Sequence, residues 1–228
     1  MNSPTLHRPG PIDAVLFDFH STLVDQGNGA EWLRLGRELA GRPTEPGDEA
    51  LAARLDFLWE RSRELDPDST RDLDPVSHRR VFETLIDEAA DLDHDQTEAL
   101  YQTLLATWTP YDDTRPTLEA LQERGVRTAV VSNIGIDIRP LLERTGLSGL
   151  LDAVVLSCEV GAVKPRAEIF LAALAAVDAG PAETLMVGDA WTDDGGAAAL
   201  GIRTLILPRT TGPVHGLHLV TAVVDAAG

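Results

Sequence analysis

Ala14-Val15-Leu16-Phe17 is a short apolar run that stops at an aspartate, Asp18, and the next run of its kind begins only at Val126. From there such runs recur at 126–131, 153–156, 184–187 and 203–207. Each follows a stretch with helical spacing: 117–124, 139–144, 167–177 and an Ala-rich segment that ends at Leu200 and Gly201. Short apolar strands alternating with helices imply parallel pairing through right-handed crossovers. The expected fold class is therefore α/β: a doubly wound, Rossmann-like parallel sheet whose first strand runs over 13–17. Such sheets bind ligands at the carboxyl ends of their strands. Asp18 ends the first strand, where a carboxylate can attack phosphorus or hold a metal.

The stretch 25–110 follows a different rule. Its apolar residues keep helical spacing: Trp32, Leu35 and Leu39; Leu51, Leu55 and Leu58; Val81, Leu85 and Ala89; Leu100, Leu104 and Trp108. Breaks at 41–47, 66–75 and 91–95 divide it into about four helices. An all-α insert thus interrupts the sheet between its first and second strands, far longer than an ordinary connection. The expected division is a core of 1–24 and 111–228 with a helical insert of 25–110.

Composition excludes several partners. A chain of 228 residues can bury a full core. Its net charge of −18 would repel nucleic acid and anionic membranes. There is no apolar run of about 18 residues, the length a membrane span needs. The polar opening, Met1 to Pro11, lacks the apolar stretch of a secretory signal. The single cysteine, Cys158, fits a reducing compartment, and a cytoplasmic location is expected. Of the 19 basic residues only Lys164 is a lysine.

Four segments carry chemistry, each at or just beyond an expected strand end. They are Asp18-Phe19-His20-Ser21-Thr22, Val130-Val131-Ser132-Asn133, Glu159 to Pro165 around Lys164, and Gly188-Asp189-Ala190-Trp191-Thr192-Asp193. In this order, and across nearly the whole chain, they resemble the four motifs of the haloacid dehalogenase-like hydrolases. The usual first motif is Asp-x-Asp-x-Thr; here His20 replaces the second aspartate.

The resemblance implies a helical cap over the site and a Mg²⁺-dependent phosphatase that forms an aspartyl-phosphate on Asp18. A carboxylate attacking a phosphate dianion needs cations on both partners. Lys164 would be one, as a compact point charge between nucleophile and phosphate. Mg²⁺ would be the other, held by Asp18, Asp189 and the backbone carbonyl of His20, with Asp193 completing the set. Asp193 would orient a metal-bound water or the lysine, and it is preferred over Asp194 for its spacing to Gly201. Ser132 and the amide of Asn133 would donate to the phosphoryl oxygens.

In the resembled phosphatases the second aspartate protonates the leaving oxygen and then activates water. His20 can do either job as an imidazole. Thr22 would support the turn after Asp18, and Ser21 takes the place of a frequent glycine. His215 and His218 read as surface residues, and His78, Arg79 and Arg80 as a solvated helix face. Trp32, Trp59 and Trp108 read as core of the insert, and Trp191 as either pocket wall or core. The expected partner is a small phosphorylated molecule, on a monomer or homodimer that binds neither nucleic acid nor membrane. Two other readings stay open: a 2-haloacid dehalogenase, whose relatives also lack the second aspartate, and a binding or regulatory protein on the same scaffold.

Overall fold

The computed structural model describes residues 10–210 and 212–228; the polar opening stretch lies outside them up to Pro9. Strand β1 (Ala14–Phe17) leads to the two-residue strand β2 (Val24–Asp25) and then to helices α1 (Gly29–Leu39), α2 (Asp48–Leu55), α3 (Leu58–Leu65), α4 (Pro75–Ala89) and α5 (His94–Gln102). Strand β3 (Thr109–Pro110) returns antiparallel to β2, with Val24 opposite Pro110. The remaining chain alternates: α6 (Thr114–Glu123), β4 (Arg127–Ser132), α7 (Arg139–Arg144), β5 (Ala153–Leu156), α8 (Ser157–Val160), α9 (Ala167–Ala176), β6 (Thr184–Gly188), β7 (Arg203–Ile206) and α10 (His218–Ala227). None of these helices is long and apolar enough to cross a membrane.

The parallel sheet has the order β5-β4-β1-β6-β7. Every residue of β1 is buried because both sheet faces are covered, as the continuous apolar run requires. Val15 and Phe17 pack into the cluster that includes Leu118, Leu121 and Val220, on the side of α6 and α10. Ala14 and Leu16 face Ile169, Phe170 and Ala173 of α9. The chain leaves β1 for β4 on one side and later crosses to β6 on the other. β1 is thus the point where the winding reverses, and a crevice opens beyond its carboxyl end.

In the insert, Asn28, Asp74 and Asp93 cap the N-termini of α1, α4 and α5, the last in a full capping box. The expected second helix is divided at Asp56 and Phe57 into α2 and α3. The Trp32 indole donates to the Leu100 carbonyl at 2.9 Å, tying α1 to α5. Two joints fasten the insert to the core. At the neck, Arg144 Nη2 donates to Leu105 O at 2.8 Å and to Trp108 O at 3.2 Å. Further out, Ser157 Oγ donates to Asp72 O at 2.5 Å while accepting from Ile134 N at 2.9 Å. Beside it Gly135 is pressed against the insert: a Cβ there would lie 2.1 Å from Arg71 O and 2.6 Å from His78 Cβ.

Beyond β6 the expected Ala-rich α-helix is a 3₁₀ turn, Asp194–Leu200. Gly195 and Gly196 open it, and two adjacent glycines disfavour an α-helix start. The short β2–β3 ribbon was not legible in the sequence either, since two residues carry no periodicity.

Candidate active site

The crevice is one cavity of about 980 Å³, lined by the ends of β1, β4 and β6 below and by the insert above. Asp18 stands at its floor, 8% exposed. The loop that follows folds back so that the main-chain N–H groups of Leu23 and Val24 both donate to Phe19 O. Ser21 occupies the left-handed region at φ 64°, which favours glycine. This turn brings Thr22 Oγ1 to 3.0 Å from Asp18 Oδ2, where it donates.

The other carboxylate oxygen of Asp18 accepts from Lys164 Nζ at 2.5 Å. Lys164 is 3% exposed and donates also to Asp194 Oδ1 at 2.7 Å. Asn133 aligns the lysine's main chain: its Oδ1 accepts from Lys164 N at 2.7 Å, and its Nδ2 donates to Lys164 O at 3.1 Å. The side-chain amide of Asn133 is thereby committed to the lysine strap, which leaves only its main chain for a phosphoryl oxygen. Ser132, 2% exposed, lines the cavity at the end of β4.

Asp194, not Asp193, orients the lysine. The 3₁₀ turn drives the Asp194 side chain beneath the end of β6, where its Oδ2 also accepts from Ala190 N at 3.0 Å. Gly188 makes this possible, because a Cβ there would sit 2.0 Å from Asp194 Oδ2. Asp193 lies at the cavity wall instead.

Burial raises Asp18, Asp193 and Asp194 above the ordinary carboxylate value, and Lys164 pulls each of them back. Lys164 itself is driven upward: burial lowers it, but Asp18 and Asp194 outweigh that. Asp189, at the end of β6, is ion-paired with Arg209 Nε. Among the described residues no group of three acidic, histidine or cysteine side chains converges closely enough to hold a metal by itself. The expected trio of Asp18, Asp189 and Asp193 is thus spread along the cavity rather than gathered.

His20 is half-buried, its ring 4.7 Å from that of Trp108. Nε2 lies 3.0 Å from Gln26 Oε1 and Nδ1 3.3 Å from Ser21 Oγ. Burial, reinforced by Arg209, lowers it to about 4. The imidazole is therefore neutral at pH 7. With Gln26 as acceptor, Nε2 carries the proton and Nδ1 the lone pair.

Three surface expectations are corrected. His78 is 3% exposed and lines the cavity, with Nδ1 3.0 Å from the Tyr101 hydroxyl; burial lowers it to about 4. Arg79 pairs with Glu83 and Glu98, and only Arg80 keeps an open face. His215 is 6% exposed and packs on Tyr111, because the Asp113 carboxylate gathers the N–H groups of His215, Gly216 and Leu217 and folds that loop inward. His218 is exposed. Trp191 is 76% exposed, neither pocket wall nor core.

Arg209, Arg63, Arg71 and Tyr111 also line the cavity and were not singled out from the sequence. Arg209 had a usable signal, since it lies just past the last strand's carboxyl end. The insert residues had none, because helical spacing does not reveal which helix overhangs the crevice.

A family model described as haloacid dehalogenase-like hydrolase matches residues 12–201. The ribulose-1,5-bisphosphate 5-phosphatase of Halopiger xanaduensis is 37% identical over 48% of this chain, a match that spans 46% of that protein. The glyceraldehyde 3-phosphate phosphatase of Methanopyrus kandleri is 31% identical over 87% of this chain and 84% of its own length. The (S)-2-haloacid dehalogenase 1 of a Pseudomonas species is 29% identical over 89% of this chain and 87% of its own.

Proposed function

This chain belongs to the haloacid dehalogenase-like hydrolases, and from that premise we propose that it is a Mg²⁺-dependent phosphatase of a small organic phosphate, with Asp18 as nucleophile. The observation that carries the reading is the paired carboxylate at the end of β1. One oxygen of Asp18 is fixed by Lys164 and the other by Thr22, at the floor of a cavity that also holds Asp189, Asp193 and Asp194. The phosphatase names of the Halopiger and Methanopyrus relatives support it.

The donor set fits a divalent ion in chemistry, since its atoms are hard carboxylate and carbonyl oxygens, and the carboxylates would draw together to share it. Asp18, Asp189, Asp193 and Asp194 outnumber the cations beside them, Lys164, Arg209 and, at Asp193, Arg63, so the site carries surplus negative charge. Asp18, the His20 main-chain carbonyl, Asp189 and Asp193 would hold Mg²⁺, with Arg209 yielding Asp189. When bound, the ion would neutralise charge shared by the carboxylate and the phosphate oxygens.

Lys164 presents its charge between Asp18 and the incoming phosphate, while Asp194 and the Asn133 amide keep it aimed. Ser132 and the main chain of Asn133 donate to the phosphoryl oxygens. The Asp18 carboxylate forms a bond to phosphorus as the ester P–O bond breaks and its electron pair leaves with the alcohol oxygen. Water then attacks phosphorus, the Asp18–phosphate bond breaks, and the neutral His20 takes a proton from that water at Nδ1. The helices over 25–110 act as a cap that excludes bulk water in the first step.

A neutral His20 is a competent base but a poor acid, and this favours substrates whose leaving group needs no proton. The same observation is the one that supports a second reading, a 2-haloacid dehalogenase, because a halide leaves unprotonated; the Pseudomonas relative points the same way. The surplus of carboxylates weighs against it, since displacement on a haloacid anion calls on no metal ion to offset them. Phosphate release from p-nitrophenyl phosphate and sugar and nucleotide phosphates, with Mg²⁺ or EDTA, separates them. Mg²⁺-dependent release that is lost in Asp18→Asn is expected. Halide release from 2-haloacids in EDTA, without phosphate release, would replace this reading with the dehalogenase.

A further inference from the structure

The cavity is far larger than its phosphate end requires. At about 980 Å³ it reaches the upper end of the range that encloses drug-sized ligands, roughly 300–1,000 Å³. A triose phosphate would leave most of it filled with water. Three large aromatic side chains line it. Trp59 of α3 is half-buried, with its ring centroid 5.6 Å from that of His78, and the surface it keeps lines the cavity. Trp108, backed by Phe19 and His20, and Tyr111 line it too.

The charges there do not suit a second anion. Arg71 is spent on Asp66 and Asp72, each at 3.3 Å, and Arg209 on Asp189. Among the described residues Arg63 is the one cavity-lining arginine without an ion pair, and its field already falls on Asp72 and Asp193. Asp56, Glu60 and Asp72 line the cavity as well. Burial raises the Asp72 carboxyl to about 7, although Arg71 pulls it back. A carboxylate or second phosphate on the leaving group would therefore meet net repulsion.

We propose that the ester hydrolysed here carries its phosphate on an uncharged organic group with a flat aromatic ring system, stacked on Trp59 in the insert's half of the cavity. The proposal rests on the phosphatase reading and names its substrate class. Gln26, Asn28 and Ser69 also line the cavity; with Gln26 Oε1 on His20 and Asn28 Oδ1 on the α1 cap, their amide N–H groups and the Ser69 hydroxyl remain for ring or sugar polar atoms. The neutral His78 supplies a further polar edge. Stacking needs no particular ring heteroatom, so the class is set by flatness and neutrality.

The test compares kcat/KM for adenosine 5′-monophosphate and flavin mononucleotide with that for glycerol 3-phosphate and 3-phosphoglycerate, in wild type, Trp59→Ala and Trp59→Phe. Ring-bearing esters are expected to lead, and 3-phosphoglycerate to come last. Trp59→Ala should cut the ratio of ring-bearing to aliphatic esters by about 5- to 150-fold, the range that base–aromatic stacking carries, mostly through KM. Trp59→Phe should restore most of it, which a merely structural role would not require. A lead for 3-phosphoglycerate, or an equal loss on all esters in Trp59→Ala, overturns the proposal. Calorimetry with adenosine and riboflavin, which lack phosphate, reads the ring site without turnover. No binding of either, alongside hydrolysis of p-nitrophenyl phosphate, overturns the ring site and leaves the phosphatase standing. Binding without hydrolysis of any ester upholds the ring site and overturns the phosphatase.

Discussion

Replacing Lys164 by methionine tests the electrostatic frame of the site without any substrate. The ammonium is the counter-ion of two buried carboxylates, Asp18 at 2.5 Å and Asp194 at 2.7 Å. Methionine keeps much of the stem's volume but leaves both acids unpaired. Breaking a buried ion pair from one side costs about 3–5 kcal/mol. In a chain of this size about 1 kcal/mol moves the melting midpoint by roughly 2–4 °C, so a fall of roughly 6–20 °C is expected. The cost must depend on pH. Asp18 and Asp194 are already raised in the folded protein, so they bind protons more readily folded than unfolded. Such a group favours the folded state fully below its unfolded value, and that contribution is lost as pH rises through the folded value. Without Lys164 both carboxyls move higher still. The variant's deficit should therefore be small near pH 4 and full at pH 8. Urea denaturation in EDTA at both pH values measures it, and the added change Asp194→Asn should recover part of the loss at pH 8. A deficit below about 1 kcal/mol that is equal at both pH values would refute the reasoning and make Lys164 a solvated charge.

Two further outcomes follow from the geometry. Gly135→Ala places a methyl 2.1 Å from Arg71 O, so the insert must back away from the core; overpacking of this kind costs about 1–3 kcal/mol. A lower kcat/KM together with faster proteolysis of the 70–78 segment is expected, and an unchanged kcat/KM would show that this contact does not govern docking. His20 is lowered to about 4, so kcat should stay level from pH 8 down through 6.5 and fall only as pH approaches 4. His20→Asp should raise turnover of esters with poor leaving groups by up to about 10²-fold, since a carboxyl acid is then available; a wild-type profile that loses activity above pH 6.5 would show the imidazolium at work instead.

The fold was legible because its strands are buried on both faces, which forces unbroken apolar runs such as 14–17 and 129–131. The helices over 25–110 were legible from their spacing, although the division at Asp56 and Phe57 was not. The candidate site was legible as far as strand ends define it: Asp18, Ser132 and Asp189 fall at the ends of β1, β4 and β6, whereas Lys164 lies beyond α8 on a strap that the Asn133 side chain holds. Side-chain direction beyond the strand end was not. Asp193 and Asp194 are neighbours in sequence, and only the 3₁₀ turn with the bare Gly188 surface decides which one reaches Lys164. His215 goes inward because Asp113, remote in sequence, gathers its loop. His78 and Trp59 reach the cavity through the packing of α3 and α4 over the crevice, which spacing along one helix cannot encode.

In the proposed reaction Asp18 carries the phosphoryl group between ester and water. The most direct measurement is a single turnover in ¹⁸O water with enzyme in excess over p-nitrophenyl phosphate and Mg²⁺ present, followed by a second turnover and mass spectrometry of the peptide containing Asp18. Acid quenching during turnover should trap a phosphoryl adduct on that peptide, absent in Asp18→Asn, while the released phosphate carries one ¹⁸O and the Asp18 carboxylate none. Heavy oxygen in the Asp18 carboxylate would mean that water attacked an ester carbon, as after displacement at carbon. No adduct, with phosphate still released by Asp18→Asn, would mean that water attacks the substrate directly. Either result would remove Asp18 as the phosphoryl carrier.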